Sequence, residues 1–220
     1  MTKYLVTGGA GFIGSHIAQT LAGQGHAVTV LDNLSTGHEK NLADFRDRIE
    51  FVRGSITDLD TLARCCEDVD VIFHQAALAS VPRSVADPLA SNEHNVDGTL
   101  KVFWVARETG VRRVVYAASS SAYGDTEVLP KREDMKADPL SPYAITKFVG
   151  ELYGKVFTEL YGLGTIGLRY FNVFGPRQDP RSQYAAVVPL FITLLLEGQA
   201  PVIHGDGGQT RDFTYIRNVV

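Results

Sequence analysis

The stretch KYLVTGGAGFIG, residues 3–14, decides the fold. Its first half is a short apolar run of the kind a buried strand needs. Its second half sets glycines at 8, 9, 11 and 14, at the mouth of a helical pattern over 12–23. Gly8, Gly11 and Gly14 are spaced G-x-x-G-x-x-G, and Gly9, Gly11 and Gly14 also satisfy G-x-G-x-x-G. Between a strand and a helix, the first glycines permit a tight turn and close backbone approach to a pyrophosphate, and the last lets helix and strand pack. The amides at the helix start then face the anion. Asp32 ends the second strand-like run, 18 residues after Gly14. A carboxylate there accepts bonds from adenosine ribose hydroxyls and repels a 2′-phosphate, and DNLSTGHEK (32–40) offers no arginine to offset it. The pattern favours NAD over NADP. A glycine turn that holds no ligand is the alternative.

Outward from this turn, short β-branched runs alternate with longer helical patterns. Strands are expected at 3–7, 27–31, 51–54, 70–74, 112–119 and 165–170, and helices near 12–23, 58–67, 92–109 and 143–161. Alternation of this kind builds βαβ units, and near-continuous apolar strands imply a sheet covered on both faces. With right-handed crossovers the fold is a doubly wound parallel α/β sheet. From about residue 175 the pattern loosens. GPRQDPRSQYAA (175–186) reads as loop, 185–197 as helix, and GDGGQTRDF (205–213) as a glycine-rich loop. The expected division is a dinucleotide-binding domain over 1–174 and part of a smaller substrate-binding region over 175–220. The chain stops within an apolar stretch, DFTYIRNVV, which suggests a truncated chain.

Composition narrows the function classes. The 220 residues are 45% hydrophobic and 21% charged, with net charge −4. No run of Lys or Arg forms a nucleic-acid surface, and no apolar stretch is long enough to span a bilayer. MTKYLVTGG enters a strand directly, without a signal-peptide pattern. Cys65 and Cys66 are adjacent and poorly placed to bridge each other, which fits a reducing, cytoplasmic compartment. The six histidines lack ligand-like spacing, so no metal is expected.

SPYAITK, residues 141–147, carries the chemistry. Pro142 suits the first turn of a helix, and Tyr143 and Lys147, four apart, share a face. Chance supplies such pairs often enough that the pair alone is weak evidence. A cation beside a phenol favours phenolate and lowers its pKa, and a phenol so tuned can take a proton from a sugar hydroxyl. An exposed pair on a solvated helix is the alternative. YAASSSAYG brings Ser119, Ser120 and Ser121 to the end of the fifth strand, where open parallel sheets bind ligands. One of the three could bond a substrate oxygen. A serine turn capping its own backbone would look the same.

Together TGGAGFIG, HQAA, NVDGT, SSSAYG, SPYAITK, LRYFNVFGPRQ and TRDF resemble the extended short-chain dehydrogenase/reductases, a Rossmann-fold family, over nearly the whole chain. Within it they look most like nucleotide-sugar 4-epimerases, and HQAALASVPRS and RYFNVFGPRQDP point to the branch acting on UDP-N-acetylhexosamines. The resemblance implies Tyr143 as general base and acid, Lys147 as its activator and ribose anchor, and Ser120, by its spacing from Tyr123-Gly124, as the catalytic serine, with Ser119 and Ser121 left open. It places Gly8, Gly11, Phe12, Ile13, Asp32, Asn33, Ser55, Ile56, Ala76, Ala77, Asn95 and Phe171 at the NAD, with Tyr143 and Lys147. Ser80, Arg83, Asn172, Val188 and Arg211 fall on the UDP-sugar side, with Ser120, and the Arg211 guanidinium suits a diphosphate.

Two departures stand out. Relatives carry GDI where this chain has Gly54-Ser55-Ile56, which puts an uncharged acceptor at the adenine amino group. Relatives also continue well past DFTYI. The implied reaction is reversible inversion at C4 of a UDP-hexose or UDP-N-acetylhexosamine through a 4-keto sugar. UDP-glucuronate epimerisation or decarboxylation is a rival; 4,6-dehydration needs an Asp-Glu pair where this chain has Ser121-Ala122. A catalytically silent NAD-binding module is a rival of another class, opposed by the retained Tyr143 and Lys147. Val102, Phe103 and Val105 on helix 92–109, with Phe148, Leu152 and Val156 on helix 143–161, imply a homodimer through a four-helix bundle, or else ordinary core packing.

Overall fold

The computed structural model describes residues 1–180, 186–203 and 205–220. Contacts cluster into two units, 1–170 and 171–220.

The first unit opens with β1 (Lys3–Thr7), α1 (Phe12–Gly23) and β2 (Ala27–Asp32). A 3₁₀ segment, Glu39–Arg48, which the periodicity did not predict, leads to β3 (Glu50–Arg53). Then come α2 (Leu59–Cys65), capped by the Asp58 carboxylate, and β4 (Val71–His74). α3 (Val81–Ala86) and α4 (Pro88–Asn92) each carry a proline in the first turn and a side-chain cap, from Ser80 and Asp87 respectively. α4 passes through a π turn, Glu93–Asp97, into α5 (Gly98–Glu108). β5 (Arg113–Ser119) ends in a 3₁₀ turn, Ser120–Tyr123. α6 (Pro142–Tyr161) starts on Ser141, whose hydroxyl accepts from the Ala144 amide, and β6 (Gly164–Tyr170) closes the unit.

The six strands form one parallel sheet in the order β3-β2-β1-β4-β5-β6. Register is continuous: Leu5 lies beside Thr29 and Ile72, and Val114 beside Thr165. Because side chains alternate along a strand, neighbouring apolar residues fill opposite cores. Leu5, Leu31, Ile72 and Val114 pack with Leu62 of α2 and Val102, Phe103 and Val105 of α5. Val6 and Val30 pack with Ile17 and Leu21 of α1 and with Leu42 and Phe45 of the 3₁₀ segment. This is the doubly wound fold expected. One expectation fails here: Val102, Phe103 and Val105 are fully or nearly buried within the chain, so they belong to the core and are not open to a second copy.

The second unit holds β7 (Asn172–Phe174), α7 (Val187–Leu196), β8 (Phe213–Tyr215) and α8 (Ile216–Val219). β7 and β8 pair in parallel, and the Phe174 ring packs against Phe213 and Tyr215. The expected loop over 175–186 is described only outside 181–185, which lie outside the described residues. Among the described residues no helix is long and apolar enough to cross a membrane.

Candidate active site

The order 3-2-1-4-5-6 changes the direction in which successive strands are added between β1 and β4, and ligands of such sheets lie in the crevice at that point, beyond the strand ends. The glycine turn occupies this edge. Gly8 has φ +67°, and a Cβ there would lie 2.6 Å from the Ala76 nitrogen. A Cβ at Gly14 would lie 2.3 Å from the Gly8 carbonyl oxygen. Backbone therefore packs against backbone, bringing Gly8, Gly11 and Ala76 together at the start of α1. The α1 N-cap, Gly11, offers no side-chain bond, and the first turn holds no acid. The leading amides are left for a ligand, as a pyrophosphate cradle requires. Phe12 and Ile13 are half-buried on that first turn.

Asp32 ends β2 beside this cradle. Its Oδ2 accepts from the Ala10 amide at 3.0 Å and its Oδ1 from the Leu34 amide at 2.8 Å. Burial pushes the carboxyl above its ordinary range, and these amides, with the charge of His38, hold it back. The remaining lone pairs can serve ribose hydroxyls. Asn33 is exposed, and its Oδ1 accepts from the Ser35 amide at 3.0 Å. The half-buried Ser55 bonds locally: its hydroxyl bonds that of Thr57 at 2.8 Å and accepts from the Thr57 amide at 3.2 Å. Ile56 is core. Asn95 sits in the π turn with its amide committed, accepting from the Leu78 amide (2.8 Å) and donating to the Leu78 carbonyl (3.2 Å) and the Thr146 hydroxyl (3.1 Å). It fastens the loop after β4, Ala76–Leu78, to α6.

The Ser119 hydroxyl, one residue before the serine that spacing favoured, is the side chain that holds the buried Tyr143 phenol down against burial. Ser119 is the last residue of β5. Its oxygen accepts from the Ser121 amide (3.2 Å) and the Ser121 hydroxyl (2.8 Å), which leaves its own proton for the phenol. Ser120 opens the 3₁₀ turn. The Tyr143 backbone amide donates to the Ser84 hydroxyl at 3.0 Å, a contact with α3 that no motif signalled.

Lys147 lies one helical turn on from Tyr143, 9% exposed, its Nζ donating to the Ala117 carbonyl at 2.8 Å. Burial pulls its ammonium down to about 8. The expectation that this cation lowers the Tyr143 pKa is corrected for the protein alone. Burial raises that phenol above its ordinary value, and only the Ser119 bond works against it. Beneath the site, the buried His74 ring bridges the hydroxyls of Thr7 (2.7 Å, at Nδ1) and Thr99 (3.0 Å, at Nε2). Burial first, then the Lys147 charge, pushes the imidazole down to about 3, so it is neutral.

The substrate-side positions divide between the units. Ser80 caps α3, accepting from the Arg83 amide at 3.2 Å, and the Arg83 side chain is exposed. In the second unit, Phe171 is half-buried, and Asn172 donates through its amide to the Asp212 carbonyl at 3.0 Å. Val188 is half-buried on α7, and the exposed Arg211 donates to the Thr210 carbonyl at 2.7 Å. The uncapped amides, the glycine cradle, the Asp32 carboxylate and a buried amide at Gln75 that completes no bond with the protein together fit a dinucleotide.

The family profile described as "NAD dependent epimerase/dehydratase family" matches residues 4–220. A putative UDP-glucose 4-epimerase from Methanocaldococcus jannaschii is 44% identical over 217 residues, 98% of this chain and 70% of that protein. The structure of a UDP-N-acetylglucosamine 4-epimerase from Methanobrevibacter ruminantium, in complex with UDP-N-acetylmuramic acid, superimposes with a TM-score of 0.95 at 46% identity, covering 99% of this chain and 70% of that one. A UDP-glucose 4-epimerase from Thermus thermophilus in complex with NAD gives 0.91 at 39% identity, covering 99% of this chain and 72% of that one.

Proposed function

Because the chain belongs to the NAD-dependent epimerase/dehydratase family, we propose that it catalyses reversible C4 epimerisation of a UDP-hexose, with UDP-N-acetylglucosamine and UDP-N-acetylgalactosamine as its pair. The observation that carries this reading is the buried Tyr143 phenol beside the Ser119 hydroxyl at the sheet edge, with Lys147 one turn away. The acetylated sugar is supported by the 46% identical UDP-N-acetylglucosamine 4-epimerase.

Bound NAD supplies the hydride acceptor and, in the return direction, the donor. The chain's own residues handle the proton. The Ser119 hydroxyl, fixed by Ser121, orients the sugar O4 and passes the proton between it and the Tyr143 oxygen. Tyr143 accepts that proton as the C4–H bond breaks and returns it to O4 of the 4-keto sugar after the ring has presented its other face. Lys147 keeps a buried cation one turn from Tyr143, fixed on the Ala117 carbonyl, where it can hold a ribose hydroxyl. Gly8, Gly11, Phe12, Ile13, Asp32, Asn33, Ala76 and Ala77 line the cofactor side. Asn95 and Ile56 act by position, through the loop after β4 and through the core. Ser80, Arg83, Asn172, Val188 and Arg211 are assigned to the nucleotide-sugar. Two buried, unbridged thiols, Cys65 and Cys66, accord with a reducing, cytoplasmic setting.

The test is turnover of UDP-N-acetylglucosamine, UDP-glucose and UDP-glucuronate by wild type, Tyr143→Phe, Ser119→Ala and Ser120→Ala. Tyr143→Phe should lower turnover on the order of 10³-fold while NAD stays bound, and Ser119→Ala should cost clearly more than Ser120→Ala. A Tyr143→Phe protein with most of its activity sinks the mechanism. Turnover of the glucuronate alone replaces the substrate assignment.

A further inference from the structure

Gln75 is the first residue after β4, and its side chain leaves the sheet on the face opposite His74, because successive side chains alternate. The backbone amide donates to the Thr7 carbonyl at 3.0 Å, and the carbonyl carbon lies 2.9 Å from where a Cβ on Gly8 would sit. The residue is thus fixed at the crevice between β1 and β4. Both Oε1 and Nε2 are buried, and neither completes a hydrogen bond of ordinary geometry with the protein. The amide acts on the phenol of Tyr170 at the end of β6. Burial pushes that phenol up and the Gln75 amide offsets part of the rise. A buried carboxamide without partners is costly, and native folds rarely leave one without a purpose.

The direction of the crevice supplies the purpose. With adenosine at Asp32 on β2 and pyrophosphate at the start of α1, the other half of the dinucleotide extends over the ends of β4 and β5. Gln75, Ser119 and Lys147 stand there. We propose that Gln75 recognises the carboxamide of the nicotinamide ring, amide to amide. Each group carries an NH2 donor and a carbonyl acceptor, so a paired amide satisfies one of each on both sides, and the ring is held in one rotation about its glycosidic bond. The assignment rests on NAD occupying this crevice in that direction.

Titration calorimetry of nucleotide-free protein tests it with three probes. These are NAD, 3-acetylpyridine adenine dinucleotide, which lacks the amide N–H, and ADP-ribose, which lacks the ring. Wild type should prefer NAD to the acetylpyridine analogue by about tenfold, the worth of one well-made bond. Gln75→Met should lose that preference while binding ADP-ribose as wild type does. Equal affinity of wild type for the two dinucleotides overturns the assignment without reference to any variant. So does a Gln75→Met protein that retains the preference. Binding of ADP-ribose with no preference between dinucleotides defeats this assignment alone; failure of wild type to bind all three defeats the cofactor site as well.

Discussion

His74 couples the site to the stability of the chain. Its imidazole is neutral in the fold and titrates at about 3, against 6.5 for an unburied ring. Between those values the unfolded chain binds the proton and the folded one does not. Its contribution is therefore whole above pH 6.5 and is lost as pH falls toward 3. Lys147 has the same sign at the other end: at about 8 against 10.5, it makes the fold gain stability as pH rises between them. Asp32, raised by burial, works in the opposite sense in acid. Urea midpoints should fall from pH 7 to pH 5, and His74→Gln should flatten that fall; an unchanged pH profile in the variant counts against the assignment. At this scale the sequence was only partly legible. SPYAITK marked Tyr143 and Lys147, and spacing pointed to Ser120 with Ser119 and Ser121 left open, whereas the end of β5 sets Ser119 beside the phenol. The raised phenol was not legible, because burial is set by α3 and β5, far away in the chain. Ser84, His74 and Gln75 carried no motif beyond the HQAA run that holds two of them.

Among the elements, the turn from β1 into α1 has the least room. An alanine at position 14 would place its Cβ 2.3 Å from the Gly8 carbonyl and 2.8 Å from the Gly9 Cα, with backbone on both sides. Gly14→Ala should move α1 off β1 and weaken ADP-ribose binding by about tenfold or more, with a stability loss of about 1–3 kcal/mol from overpacking. Calorimetry beside thermal melting separates the two effects, and unchanged binding would remove the turn from the site. Long periodic elements such as α1 and α6 were plain in the sequence because their apolar faces repeat over several turns. The helix expected at 92–109 is the end of a longer run that begins at Pro88 and contains a π turn. Period counting misses such a turn, since one extra residue resets the phase. β7 and β8 were missed because each is three residues long and pairs with a strand some 40 residues away.

For the molecule as a whole, the helix pair proposed to join two copies needs a revised face. The α5 residues are core, but α6 leaves Leu152 51%, Val156 40% and Leu160 71% exposed, with Ile145 and Trp104 of α5 also open. The homodimer proposed through these helices should use that stripe. Leu152→Glu with Val156→Glu should shift the mass in solution from two chains to one while nucleotide binding is kept. A wild-type mass of one chain removes the proposal. The doubly wound sheet was the most legible feature of all, because alternating runs and one glycine turn leave few topologies. Its strand order also governs how the chain comes together during synthesis. β1 leaves the ribosome before β2 and β4 yet lies between them, with β2 on one side and β4, from Val71 onward, on the other. The nascent chain must carry an apolar, half-paired ribbon until β4 emerges to cover its open edge. Parallel pairings of this kind close late and slowly. The same arrangement that puts the nucleotide crevice at the middle of the sheet leaves its first-made wall bare on one side until the chain has been extended past Val71.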